Sequence, residues 1–138
     1  MNATHLKQQG IVLLEGLMAI LIFSLGILSI VALLGVSVKD SSSAKYRTEA
    51  SLLANQVIAQ METGERTNAA LVAGYSSPAG ANFVTWRTTV AKTLPGVAGK
   101  NIPTISIAAD NTATVTVRWQ APGDGTAHSF VVIAKIAG

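Results

Sequence analysis

The hydrophobic rhythm of the chain changes three times along its length. Residues 11–38, IVLLEGLMAILIFSLGILSIVALLGVSV, are apolar with no polar face, and Glu15 is the only charge among them. An all-round apolar stretch predicts a helix buried in lipid or in other protein, not one resting on a surface. Gly16 to Val38 gives 23 residues without a charge. As a helix this is about 35 Å long, enough for a bilayer core of about 30 Å. Residues 40–63 then contain no Pro and no Gly, and Ala50, Leu53, Ala54, Val57, Ile58 and Met61 recur at i, i+3, i+4, i+7, i+8 and i+11. That spacing draws one apolar stripe on a helix, with Lys45, Glu49, Asn55 and Glu62 opposite and Gly64 placed as a C-terminal cap. Together the two patterns predict a nearly continuous helix from about 12 to 63, with a membrane half and an amphipathic half. Ser41-Ser42-Ser43 reads either as a loosened joint or as a polar turn of that helix.

Beyond Gly64 the rhythm shortens. Residues 67–82 are rich in Ala, Gly, Ser and Pro and read as a loop with one short helix. Trp86, Val90 and Leu94 fall at i, i+4 and i+8 before Pro95-Gly96, which predicts a second short helix, with Lys92 in the last turn complementing the dipole. Three strand candidates follow. Thr104–Ala108 places Ile105 and Ile107 on one face. Ala113–Trp119 alternates Val115, Val117 and Trp119 against Thr114, Thr116 and Arg118. Ser129–Ile136 sets Phe130, Val132, Ala134 and Ile136 against Val131, Ile133 and Lys135. Asp110-Asn111 makes the first turn and residues 120–128 a looser second one. The fold class is therefore α+β: an antiparallel meander whose apolar face lies on the stripe of the long helix.

The segment at 11–38 carries its own questions. A secretory signal has an apolar region of about 7–15 residues and a small-x-small cleavage site. Gly35-Val36-Ser37 is a weak version of that site, and the run before it is too long. Charge does not orient the span as it usually does: Lys7 and the α-amine stand on one side, Lys39, Lys45 and Arg47 on the other. Counted alone, that leans against an N-in, C-out orientation. Gly26 and Gly35 each cost about 1 kcal/mol of helix propensity in water, yet small residues favour close helix packing in a membrane. Nine residues apart, they do not form a GxxxG pair. Glu15 is the costly group, since insertion scales assign about 2.5–3.5 kcal/mol to a central acid. Two readings stand. Near the end of the run, Glu15 reaches the interface and stays solvated; or it meets a cation in an assembly. A cut after Gly10 would create that cation as the amine of Ile11 on an adjacent subunit.

These residues carry a resemblance. Gly10, then Ile11-Val-Leu-Leu-Glu15, then the long apolar helix, behind the positively charged leader MNATHLKQQG, is similar to the class III leader and N-terminal helix of type IV pilins. Residues 44–54, AKYRTEASLLA, with Met61, then Trp86 leading to Leu94-Pro95-Gly96 and a strand ending in Val117-Arg118-Trp119, resemble PilV-type minor pilins more narrowly. The resemblance implies a type IV pilin-like fold, the long helix packed on an antiparallel sheet of about three to four strands. It divides the chain into a leader at 1–10, a transmembrane and filament-core helix at 11–38, and a globular domain at 39–138 that includes the amphipathic helix. It implies cleavage between Gly10 and Ile11 by a prepilin peptidase, N-methylation of Ile11, and an assembly role for Glu15. Ile11 stands where the family most often has Phe. The implied partners are other pilins, the peptidase and the inner membrane, with the C-terminal domain extracytoplasmic and later at the cell surface.

Composition removes other classes. The 138 residues suit one modest domain beside the apolar segment, and 49% are hydrophobic, with mean hydropathy +0.44. No cysteine is present, so disulfides, thiolate zinc sites and cysteine nucleophiles are excluded, as is the cysteine pair that staples the C-terminal loop of many pilins. From residue 39 onward nine Lys/Arg face six Asp/Glu without any basic run, so no nucleic-acid face is indicated. His5 and His128 stand apart, and no His/Asp/Glu cluster has metal spacing. Gly74-Tyr-Ser-Ser-Pro78 is not a nucleophile elbow, and Gly123-Asp124-Gly125 lacks the surroundings of a phosphate loop and the oxygen ligands for calcium. Trp86 and Trp119 read as core residues. The expectation is a minor pilin with no catalytic residue, no metal and no cofactor, taking part in assembly or priming of type IV pili. The alternatives are a type II secretion pseudopilin, a single-span membrane protein with a small extracytoplasmic binding domain, and, third, an enzyme that would use His128.

Overall fold

The computed structural model describes residues 4–137. Helix α1 runs over Thr4–Thr63. It begins earlier than the apolar pattern predicts, because Leu6, Lys7, Gln8 and Gln9 are all good helix formers and no proline interrupts them. Residues 1–3 of the expected leader lie outside the described residues, and residues 4–10 continue the backbone of α1. Ser41-Ser42-Ser43 is helical. The chain divides into two compact units, Met1–Ser42 and Ser43–Gly138, and α1 belongs to both.

In the second unit the apolar stripe of α1 is buried along its length: Ala50, Leu53, Ala54, Val57, Ile58 and Met61 all lie in the core. After Thr63 the Gly64 amide donates back to the Gln60 carbonyl (3.1 Å), and the chain leaves the helix. Helix α2, Asn68–Tyr75, is capped by Thr67, whose hydroxyl accepts from the Ala70 amide. Helix α3, Ala81–Thr93, buries Phe83, Trp86 and Val90 and stops before Pro95. The Trp86 indole donates to the Leu53 carbonyl of α1 at 2.9 Å, so the largest side chain of α3 both fills the core and pins it to the long helix.

A short 3₁₀ turn at Gly99–Asn101 leads into the sheet. Strands β1 (Thr104–Ile107), β2 (Thr112–Trp119) and β3 (His128–Lys135) form an antiparallel meander in the order β1-β2-β3. The alternation seen in sequence sets the register: Val115 pairs with Ile105 and Val132, and Val117 with Phe130. One face of the sheet adds Ile105, Ala113, Val115, Val117 and Trp119 to the core of the helices, with Phe130, Val132 and Ala134 packed at its margin. The β1–β2 turn depends on Asn111 at φ 64°, a left-handed conformation that Asn tolerates. Asn111 also donates to the Arg66 carbonyl (3.0 Å) and accepts from the Asn68 amide (2.9 Å), which ties the turn to the start of α2. Ser77, after α2, extends the outer edge of β1: its amide donates to the Ile105 carbonyl (3.0 Å) and its hydroxyl accepts from the Ile105 amide (2.6 Å).

The Asp110 carboxylate accepts from the Thr112 hydroxyl (2.9 Å) and the Thr112 amide (3.1 Å), with Lys135 at 3.8 Å. The Thr112 hydroxyl above all, then its amide, holds Asp110 below the ordinary value of 3.8. Because its folded value is depressed, Asp110 stabilises the turn above the unfolded value, and this is lost as pH falls through the folded one. Thermal midpoints of the native chain and Asp110→Asn should therefore differ at pH 7 and converge below about pH 4; a gap that persists in acid would contradict this. The two tryptophans offer a second test. Trp119 is buried with its indole nitrogen lacking a partner among the described residues, whereas that of Trp86 is bonded. In urea unfolding of the full chain in detergent, Trp86→Phe should cost about 1–2 kcal/mol more than Trp119→Phe. Equal losses would count against the pinning role of Trp86.

Candidate functional site

The residues singled out in the sequence gather in the Met1–Ser42 unit, on α1. Gly10, Ile11 and Glu15 follow one another on an unbroken helix. Ile11 and Glu15 are at i and i+4, so the two share one face, a turn apart. The other positions a turn from Glu15 are Val12, Met18 and Ala19, and none carries a charge. Glu15 is exposed, and so is every residue from Gly10 to Ser41. The large apolar side chains of this stretch range in exposure from 47% at Ile27 to 74% at Leu33. They form no part of the core, whose α1 contribution starts at Ala50.

Polar atoms inside the run are answered locally. The Ser24 hydroxyl donates to the Ile20 carbonyl (2.7 Å) and the Ser29 hydroxyl to the Leu25 carbonyl (2.8 Å). Backbone donors and acceptors are satisfied within the helix, which is what a hydrocarbon environment demands. Added methyl groups at Gly16, Gly26 or Gly35 would meet nothing within 4 Å, so these glycines relieve no contact inside the chain. Mean hydropathy across the most apolar part of the helix reaches 2.8 and none of that window is buried. The helix is thus long and apolar enough to cross a membrane, and over Gly10–Ser41 its surface is exposed.

Residues weighed for catalysis do not converge on such a site. His128 opens β3, its ring stacked on Trp119 at 5.7 Å between centroids, with Nε2 3.0 Å from an Asp124 carboxylate oxygen. Asp124 lies in the β2–β3 loop, where its carbonyl accepts from the Gln120 side chain (2.8 Å) and its amide donates to Ala121 (3.0 Å). These contacts close an irregular loop over the end of the sheet. Gly123, at φ 83°, supplies its turn. Ser77 is engaged with β1, as described above, and Trp86 and Trp119 are both core residues. Among the described residues no three His, Cys, Asp or Glu side chains are grouped to hold a metal.

No protein-family model, curated protein or solved structure matches this chain. Function is therefore argued from the apolar helix and its one acid. The helix makes a direct prediction. Leu25→Arg, near the middle of the run, should disfavour insertion by about 2.5–3.5 kcal/mol and move the protein from the alkali-resistant membrane fraction into the soluble or degraded pool. Unchanged membrane recovery would mean that this segment is not the membrane contact.

Proposed function

We propose that the chain is a minor pilin, a subunit that takes part in the assembly or priming of type IV pili. The observation that carries this reading is an uncovered apolar helix with a single carboxylate, placed five residues after Gly10 and one turn from Ile11. In the precursor this helix crosses the inner membrane once, with the leader in the cytoplasm and the Ser43–Gly138 unit outside. A prepilin peptidase cuts between Gly10 and Ile11, and the new amine of Ile11 is methylated. The subunit then leaves the bilayer and its helix packs among similar helices.

Two energies act in that transfer. Apolar side chains lose no hydrophobic cover when lipid is exchanged for protein, so the exchange turns on packing and on Glu15. A carboxylate in that interior is tolerated when a cation answers it, and the Ile11 amine of a neighbouring subunit is such a cation. The ion pair then specifies the axial position of one helix against the next. The Ser43–Gly138 unit needs no catalytic group in this role: it presents a surface on the filament and keeps the amphipathic part of α1 folded.

Mass spectrometry of the mature N-terminus tests the reading. The chain should begin at Ile11 with one added methyl group. Glu15→Ala should leave membrane insertion intact and lower recovery in sheared filaments by about tenfold or more, as expected when a buried charge loses its counterpart. A functional protein that retains Met1–Gly10 would overturn the proposal and leave a single-span membrane protein. Normal filament recovery of the Glu15 variant would remove the role given to that residue.

A further inference from the structure

A second feature lies in the Ser43–Gly138 unit, on the side of α1 turned toward α2 and α3. A cleft of about 440 Å³ opens there, bounded by Gln56 and Gln60 of α1, Tyr75 at the end of α2, and Asn82 and Thr85 of α3. Its volume falls within the range of about 300–1,000 Å³ usual for small-molecule sites. None of the side chains lining it carries a charge. Gln56 and Gln60 are one turn apart, so their amides stand on one face of α1, and Asn82 at the start of α3 faces the same cleft.

The hydrogen-bonding capacity of this lining is largely unspent. The Gln56, Gln60 and Asn82 amides bond to no other group among the described residues. The Thr85 hydroxyl donates to the Ala81 carbonyl (3.3 Å), which leaves its oxygen free to accept. Tyr75 is only 9% exposed, yet its phenol hydroxyl has no partner among the described residues. The Tyr75 ring is nine-tenths buried on the wall of the cleft while its hydroxyl is not sealed from solvent, so that hydroxyl is open to give or take a hydrogen bond with a ligand. Trp86 also lines the cleft, although only 4% of it is exposed.

We infer that this cleft binds a neutral polyhydroxylated ligand, a glycan unit of one or two sugar rings. Each amide offers both donors and an acceptor, and each hydroxyl both gives and takes, which matches a sugar hydroxyl in both of its roles. Lys and Arg only donate and ionised Asp and Glu only accept; the lining has none of these charges to favour a phosphate, a carboxylate or a cation over a neutral ligand. Tyr75 and Trp86, both largely buried, form the apolar floor beneath these polar groups. The site does not depend on the filament reading, because all of its residues belong to one folded unit and none lies in the apolar helix segment.

Full-length protein in a zwitterionic detergent without a sugar headgroup is titrated with lactose, cellobiose, maltose and N,N′-diacetylchitobiose, with sialyllactose as the charged comparison. Binding is read by saturation transfer from protein to sugar protons. At least one neutral disaccharide should show saturable transfer in the millimolar range or tighter, and the charged sugar no advantage. The pair Gln60→Ala with Asn82→Ala should weaken that binding by about tenfold or more without moving the thermal midpoint. Gly74→Ala provides an independent block, since its new methyl would stand 3.1 Å from the Asn82 amide nitrogen. No transfer to any of the neutral sugars, or transfer that survives both changes, would overturn the assignment and leave the cleft as a water-filled gap or a contact for another subunit.

Discussion

A helix surface that is apolar on every side must be covered, and residues 11–38 pack on no core of their own among the described residues. That constraint organises the molecule. It separates the Met1–Ser42 unit, whose described residues are all helix, from the Ser43–Gly138 unit, which holds the buried core. It also gives Glu15 its weight. On a water-facing helix the residue would be ordinary; with the uncharged Ile11, Val12, Met18 and Ala19 a turn away, it is a charge whose cost depends on what covers that stretch.

The same helix is treated by two solvents in turn. In its amphipathic part the chain itself supplies the cover, through Trp86 and Val90 of α3, Leu71 of α2 and the inner face of the sheet. The transition is visible in burial: exposed positions run to Ser41, and the first fully covered residue is Ala50. The folded unit thereby fixes one part of α1 and leaves the other available for lipid or for neighbouring helices. An exchange between those two environments requires no loss of backbone hydrogen bonds, because a helix satisfies its own.

How much of this was legible in the sequence depends on whether a feature is periodic. The stripe Ala50–Met61 is, and each of its six positions is buried. So is the alternation of β2, which fixed both its faces and its pairing with β1 and β3. The number of strands and the short helix ending at Leu94-Pro95 followed from the same rules. Non-periodic ties were invisible. Ser77 bonding Ile105, and Asn68 and Asn111 bonding one another 43 residues apart, depend on the topology that brings them together. The start of α1 lies before the apolar run, because helix propensity and not apolar pattern decides it. The neutral cleft was unreadable for the topological reason: Gln56 and Gln60 are a visible pair, but Asn82 and Tyr75 join them only after α2 and α3 fold back. That Gly10, Ile11 and Glu15 lie on one helix was legible, because it depends only on local order along the chain.

The central claim is that residues 11–38 are covered first by lipid and then by protein. The chain has no cysteine of its own, so a single Leu25→Cys change carries one spin label and nothing else. Accessibility of that label to oxygen and to a water-soluble nickel chelate would be compared in membranes and in sheared filaments. The account predicts high oxygen access with chelate exclusion in membranes, and exclusion of both in filaments. Free access of the chelate in either state would contradict it.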